Sequence, residues 1–366
     1  MVIKGGEPAI RASHRLLAEQ RRGDPAVPEL TTAQVREQLG LGVDRVMGEG
    51  ALYDRDLAAL AIKQAQCDLV EAAFLLRAFR TTLRRFGVSE PIATERMSVR
   101  RRVAPIYKQP PGGQFLGATY DYTHRFLDFA LAADTSACDP ADAQSLANEA
   151  IDGGLGDTAS PFRALAEEGL LESSAGHVDA GIADLTRQPL SLPAGRDLRL
   201  QVLARADEGF MLGLAYASLQ SFGRNHPYLA DLKVGEVAVE FVVPELGFAI
   251  TLGEITVTEC QTLHQTNGAA SVPLFTRGYG LVLGQAERRA ISVALLDRSL
   301  RARELAEEID SPLHDEEFVL AHCDNIASSG LVQHLKLPHY VDFQGQLTLM
   351  REMRARLGAA KVEETP

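Results

Sequence analysis

Along residues 68–86, DLVEAAFLLRAFRTTLRRF, the apolar positions Val70, Phe74, Leu76 and Phe79 recur at near-helical intervals. Asp68 and Glu71 have the spacing of a capping box, so the pattern predicts a helix over 68–86. Two weaker helical patterns cover 32–47 and 56–66, the first carrying Gly40 and Gly42. DEGFMLGLAYASLQSF, 207–222, reads as an apolar helix closed by Gly223, and helical patterns return over 285–309, 315–329 and 342–357. Between them the period changes. VAVEFVV, 237–243, and FAITLGEITV, 248–257, flank Pro244, Glu245, Leu246 and Gly247, which is the pattern of an antiparallel hairpin. Strands do not alternate regularly with helices, so the expected class is α+β, mainly helical with a small antiparallel β-hairpin region, rather than a doubly wound sheet.

The character of the chain changes twice along its length. Residues 1–130 form a helical N-terminal region with a Gly-rich loop, 131–200 an acidic connecting region, and 201–366 a C-terminal region with the hairpin, helices and a His-containing loop. The middle stretch holds 12 acidic against 4 basic side chains. No apolar run approaches the roughly 20 residues of a membrane span, and the opening MVIKGGEPAIRASHR is too polar for a signal peptide. A cytoplasmic protein away from membranes is expected. Cys67, Cys138, Cys260 and Cys323 lie far apart with no CxxC pair, which argues for reduced thiols and against a disulfide framework or an iron-sulfur cluster.

Over 366 residues, 37 basic and 49 acidic side chains leave a net charge of −12, which disfavours a nucleic-acid binder. The acid is unevenly spread, because residues 1–130 carry a net +4. Within them Arg77, Arg80, Arg84, Arg85, Arg96, Arg100, Arg101, Arg102 and Lys108 face only Glu90 and Glu95. This excess reads either as a solvated helix face and loop or as a site for a polyanionic small molecule or an acidic partner.

Candidate chemistry lies in four strings. In HLKLPHY, His334 and His339 are five residues apart with Pro338 between them, so any shared metal must be held by a turn rather than a helix face. Two imidazoles fall short of the three or four protein donors zinc normally takes, and from the residues alone the pair reads more readily as hydrogen-bonding loop histidines than as metal ligands. His322 falls on an apolar helix stripe between Phe318 and Ile326 and reads as a core histidine. In YKQPPGGQFLGATYDYTHRFLDF, 107–129, Gly112, Gly113 and Gly117 permit close backbone approach, with Lys108 and Arg125 at either end; a phosphate cradle and a Pro-Gly turn leading into a helix are both compatible. Asp121, His124 and Asp128 add acid-base capacity, Asp128 standing four residues from His124 as an orienting partner. GRNHP places Arg224 and His226 in a tight turn, and FTRGYGLVLGQAERRA places Arg277, Gly278 and Gly280 ahead of a helix N-terminus; for both strings a plain turn with an exposed Arg is the commoner explanation. Serine-hydrolase, zincin and dinucleotide-binding fingerprints are missing.

Taken together, KGGEPAI, VPELTTAQVREQL, the 107–129 string, GRNHP, PELGFAITLGE, FTRGYGLVLGQAERRAISVALLDR and DEEFVLAHCDNIASSGLVQHLKLPHYVDFQ resemble the PhnI subunit family of the bacterial carbon-phosphorus lyase core complex. The resemblance spans nearly the whole chain except about 131–200 and the tail. It implies an enzyme subunit of phosphonate catabolism acting with PhnG, PhnH, PhnJ, PhnK and PhnL, in which a phosphonate displaces adenine from ATP to give α-D-ribose 1-methylphosphonate 5-triphosphate. The rival reading is a scaffold subunit of the same assembly. A nucleosidase-like step needs a group to protonate the departing purine and an anion by the sugar, for which Asp121, His124 and His226 are the candidates. Lys108, Gly112, Gly113, Arg224 and Arg277 are the candidates for the anionic substrate groups. The resemblance also implies that His334 and His339 bind Zn2+ at a boundary with PhnJ, the partner or solvent completing the shell.

Overall fold

The computed structural model describes residues 6–132, 162–172, 183–220, 226–266 and 273–363. They form two compact units, Leu30–Asp324 and the combination of Met1–Glu29 with Asn325–Pro366.

The larger unit begins with α2 (Thr32–Gln38), α3 (Gly40–Gly50), α4 (Arg55–Gln64) and α5 (Leu69–Arg80). Thr31 and Gln34 form a capping box on α2, Asp54 caps α4, and Asp68 accepts from the amides of Val70 and Glu71 at 3.0 and 3.2 Å. The helix expected over 32–47 divides because Leu39 leaves helical geometry, at φ −113° and ψ 35°. The helix expected over 68–86 stops at Arg80. Val35, Val43, Val46, Met47, Ile62 and Leu76 make the core of this helical part.

The β region is larger than the hairpin the alternation reveals. Strands β1 (Ser98–Val103), β2 (Tyr228–Val243), β3 (Phe248–Gln265) and β4 (Phe275–Leu283) form one antiparallel sheet in the order β1-β2-β3-β4. Around it lie α6 (Arg163–Glu167), α7 (Arg196–Ala204), α8 (Glu208–Gln220), α9 (Glu287–Leu300) and α10 (Glu316–His322). One sheet face packs on α9, with Leu232, Cys260 and Val282 against Ala290, Val293 and Ala294. Arg277, Gly278 and Gly280 therefore sit in edge strand β4 rather than in a turn before a helix. The glycines are there for packing: a Cβ at Gly278 would stand 2.1 Å from the Ala294 carbonyl oxygen, and one at Gly280 2.2 Å from that of Ala290.

The opposite sheet face is apolar at both ends and polar in the middle. Val237, Val257, Ile255, Leu281 and Leu283 join Met97 at one end, and Leu263 and Phe275 join Phe162 and Ile106 at the other. His322 is exposed, not a core histidine, because the buried stripe of α10 runs through Val319 and Leu320 to Cys323; its Nδ1 lies 2.7 Å from the Phe318 carbonyl oxygen. Cys67 is exposed, Cys260 and Cys323 are buried free thiols, and Cys138 lies outside the described residues.

The smaller unit contains α1 (Gly6–Arg22), α11 (Asn325–Leu335) and α12 (Tyr340–Glu363). The helical pattern over 315–329 is thus shared by α10 and α11, with a break at Cys323 and Asp324. Among the described residues no helix is long and apolar enough to cross a membrane.

Candidate functional site

The Gly-rich loop leaves the end of β1 and is bound back to it by two arginines. Arg102 exchanges backbone hydrogen bonds with Phe115 at 2.9 and 3.0 Å, while its buried guanidinium donates to both carboxylate oxygens of Asp231 and, at 2.6 Å, to the Pro111 carbonyl. Next to it, Arg101 donates to the Leu116 carbonyl, to Asp121 and, at 2.7 Å, to Glu287. Gly112 and Gly113 take φ of +78° and +80°, left-handed conformations that glycine adopts without steric cost. Lys108 is exposed. No helix follows the Pro-Gly turn directly.

Asp121 is therefore held in place by the Arg101 ion pair. His124 is exposed with its ring centroid 5.9 Å from that of Phe126. The orienting role expected of Asp128 is taken up elsewhere, since its carboxylate accepts from the Ala130 amide at 3.0 Å. His226 is exposed beside Tyr228, at 5.5 Å between ring centroids, and Arg224 lies outside the described residues.

Arg277 is placed by the edge strand. Its amide donates to Glu172 at 2.7 Å, its carbonyl accepts from Arg301 at 2.8 Å, and its guanidinium carbon stands 5.9 Å from the Phe162 ring centroid. Ile106 packs in the same cluster as Phe162, so the chain two residues before Lys108 and the side chain of Arg277 border one patch of the sheet face. Arg277 also lines a pocket of about 340 Å3 with Arg196, Asp197, Gln261 and Tyr279.

Sequence reasoning missed the buried charges in the middle of this face. Lys233 lies 2.7 Å from Glu259, which accepts from Thr94 at 2.7 Å and from the Tyr279 hydroxyl at 3.1 Å. Burial and the neighbouring Glu259 push the Tyr279 hydroxyl up, so it stays a donor. The signal available was Asp231 and Lys233 alternating within the otherwise apolar stretch 229–235.

Most of the basic excess read from residues 77–108 is met by acids distant in sequence. Arg77 pairs with Asp324, Arg85 with Asp184, Arg100 with Glu236, Arg101 with Asp121 and Glu287, and Arg102 with Asp231.

In the smaller unit, His334 lies in the last turn of α11 and His339 accepts the first-turn hydrogen bond of α12, its carbonyl 2.8 Å from the Phe343 amide. The turn between them brings the two Nε2 atoms to 3.2 Å, with the rings at 87°. His339 Nδ1 lies 2.7 Å from the Leu337 carbonyl, which assigns the proton to Nδ1 and the lone pair to Nε2. Among the described residues no group of three or more His, Cys, Asp or Glu side chains gathers in a metal-binding arrangement.

A family model described as "Bacterial phosphonate metabolism protein (PhnI)" matches residues 1–357. Over 368 residues the chain is 51% identical to an alpha-D-ribose 1-methylphosphonate 5-triphosphate synthase subunit PhnI of Rhizobium meliloti, covering 99% of this chain and 96% of the relative. It is 48% identical over 360 residues to the subunit of the same name from Escherichia coli, covering 97% and 98%. A putative C-P lyase subunit protein HtxH of Stutzerimonas stutzeri is 38% identical over 373 residues, covering 100% and 98%. Matches of this extent and identity place the chain in the PhnI family of bacterial phosphonate metabolism proteins.

Proposed function

We propose that this chain is the glycosyl-transfer subunit of an α-D-ribose 1-methylphosphonate 5-triphosphate synthase, displacing adenine from ATP with methylphosphonate. The observation that carries the reading is the similarity, near half identity and end to end, to two relatives bearing the synthase name. In this reaction the ribose C1′–N9 bond breaks, its electron pair leaves with N9, adenine takes up a proton, and a phosphonate oxygen forms the new bond to C1′. Positive charge develops on the sugar before that bond is complete. Asp121, oriented by Arg101, is the anion assigned to that charge, and the imidazoles of His124 and His226 are assigned to protonation of the purine. Lys108, Arg224 and Arg277, with the Gly112 and Gly113 backbone, take the triphosphate and phosphonate.

Zn2+ is assigned to His334 and His339. Two donors of one tetrahedral ion at about 2.0 to 2.1 Å stand roughly 3.3 Å apart, and the 3.2 Å between the Nε2 atoms fits that demand. The ion would supply Lewis acidity or a structural bond. Leu335, Leu337, Tyr340, Val341 and Phe343 are exposed around the pair, an apolar surface suited to a partner that completes the shell, for which PhnJ is proposed. PhnG, PhnH, PhnK and PhnL are the other proposed partners in a cytoplasmic assembly.

Adenine release from ATP tests the reading. The complex given methylphosphonate should form the ribosyl phosphonate, and Asp121→Asn should slow it by at least about a hundredfold, the scale of one missing electrostatic contact at a transition state. Undiminished turnover with Asp121→Asn, His124→Ala and His226→Ala combined would favour the scaffold reading.

A further inference from the structure

A second cavity, of about 250 Å3, opens where α3 and α7 meet the apolar end of the sheet. Ile92, Leu185, Ile255, Val257, Leu281 and Leu283 give it an apolar wall, and Arg205 adds a cation to it. None of these residues is among those assigned above. Arg205 does not stand alone. The Asp324 carboxylate lies 2.6 Å from Arg77 and 3.7 Å from Arg205, so two guanidiniums share one acid. Arg80 donates to the carbonyl of Ala51, another wall residue, at 3.3 Å. The carboxylate that attracts Arg80 is Asp184, and Arg85 already pairs with it.

Among the described residues, four guanidiniums thus face two carboxylates in half-buried surroundings, beside an apolar hole. Capping explains part of this arrangement, because Arg77 and Arg80 donate to the carbonyls of Glu49 and Ala51 at the end of α3. It does not explain Arg205, nor the buried Nε atoms of Arg77 and Arg205, which lack an acceptor among the described residues. Burial, followed by the charge of Arg77, pulls both Arg80 and Arg205 below the usual guanidinium pKa. Among the described residues the cluster is short of negative charge.

We propose that this cavity binds an organic phosphorus oxyanion, its oxygens on Arg77, Arg80 and Arg205 and its carbon substituent in the apolar wall. A dianionic oxygen group supplies both the missing charge and acceptors for forked N–H donors, and the hole behind it takes far more than a methyl group. Geometry alone carries a site for an anion with an apolar body; the choice of phosphorus rests on the proposed function.

Calorimetry on the full chain, alone and in its complex, tests the site with phenylphosphonate as the probe. Phenylphosphonate should bind at least tenfold more tightly than inorganic phosphate. Arg80→Gln and Arg205→Gln should each weaken phenylphosphonate at least tenfold, and Ile255→Phe, which fills the cavity, should weaken phenylphosphonate while leaving inorganic phosphate unchanged. Circular dichroism and melting of each variant identify any loss of fold, and Arg80→Gln and Ile255→Phe carry the test if Arg205→Gln unfolds. Equal affinity for phenylphosphonate and inorganic phosphate, or indifference to both arginine changes, overturns the site. Benzoate binding as tightly as phenylphosphonate overturns the phosphorus assignment. Because binding is read without turnover, absence of synthase activity with phenylphosphonate binding intact would count against the proposed function alone.

Discussion

Arg102 and Asp231 join β1 to β2 through a buried forked pair, with Nε 2.9 Å and Nη2 3.3 Å from the two carboxylate oxygens. The same guanidinium holds the Pro111 carbonyl just before Gly112 and Gly113. One side chain therefore anchors both a sheet edge and the Gly-rich loop. Asp231→Ala leaves a buried cation without its partner and should destabilise the protein by about 3 to 5 kcal/mol in urea unfolding. Arg102→Lys keeps the charge but loses the fork, so chymotrypsin should cut faster at Tyr120 and Tyr122 even where the chain remains folded. Unchanged urea midpoints would show that the pair is dispensable.

Gly278 and Gly330 should respond to alanine with opposite signs. A Cβ at Gly278 would meet the Ala294 carbonyl oxygen at 2.1 Å and Thr262 Oγ1 at 2.5 Å, and the backbone oxygen cannot rotate away. Gly278→Ala should cost about 1 to 3 kcal/mol through overpacking. Gly330 lies inside α11 with nothing within 4 Å of a new Cβ, so Gly330→Ala should add up to about 1 kcal/mol to that helix. Thermal melts of the two variants decide the matter.

These glycines also mark where the sequence misleads. FTRGYGLVL reads as a turn because Gly278 and Gly280 break its alternation, yet they are small so that α9 can lie against β4. RRRV in β1 reads as a charged surface, whereas Arg101 and Arg102 are buried on acids at positions 121, 231 and 287. Pairing over such separations leaves no local trace. The hairpin around Gly247 and the cap at Asp68 were legible because both depend only on neighbouring residues. The His334 and His339 turn was legible for the same reason, with Pro338 excluding a continuous helix.

His264 makes the fold sensitive to acid. Burial, and then the charge of Arg298, hold its imidazole down at about 3, with Nε2 3.0 Å from Thr262 Oγ1. In the unfolded chain it takes a proton near pH 6.5, which the folded chain refuses until about pH 3. Its contribution is complete above pH 6.5 and declines as pH falls toward 3, at about 1.4 kcal/mol per pH unit. Comparing urea unfolding at pH 7.5 and pH 5 should show a shallower decline in His264→Gln than in the parent. Parallel pH profiles for the two proteins would remove His264 from the account.

The sharpest expectation concerns His334 and His339. Their Nε2 atoms already stand 3.2 Å apart, and the Leu337 carbonyl fixes the His339 ring so that little reorganisation is needed to accept an ion. Either histidine changed to Ala should lower the zinc content of the assembled complex by at least about tenfold at limiting metal, since losing one of the two donors this chain supplies removes their chelate. His334 is exposed and His339 half-buried, neither in a core cluster, so melting temperatures should stay within about a degree or two. The double variant should lose scarcely more zinc than either single one, because two ligands of one ion act as a unit and their effects are not additive. Leu337→Pro keeps both imidazoles and the carbonyl but changes the turn that aligns them, and it should weaken zinc retention less than removing a ligand does. Elemental analysis of the purified complexes reads all four variants, and full zinc occupancy in the double alanine variant would return both residues to ordinary turn histidines.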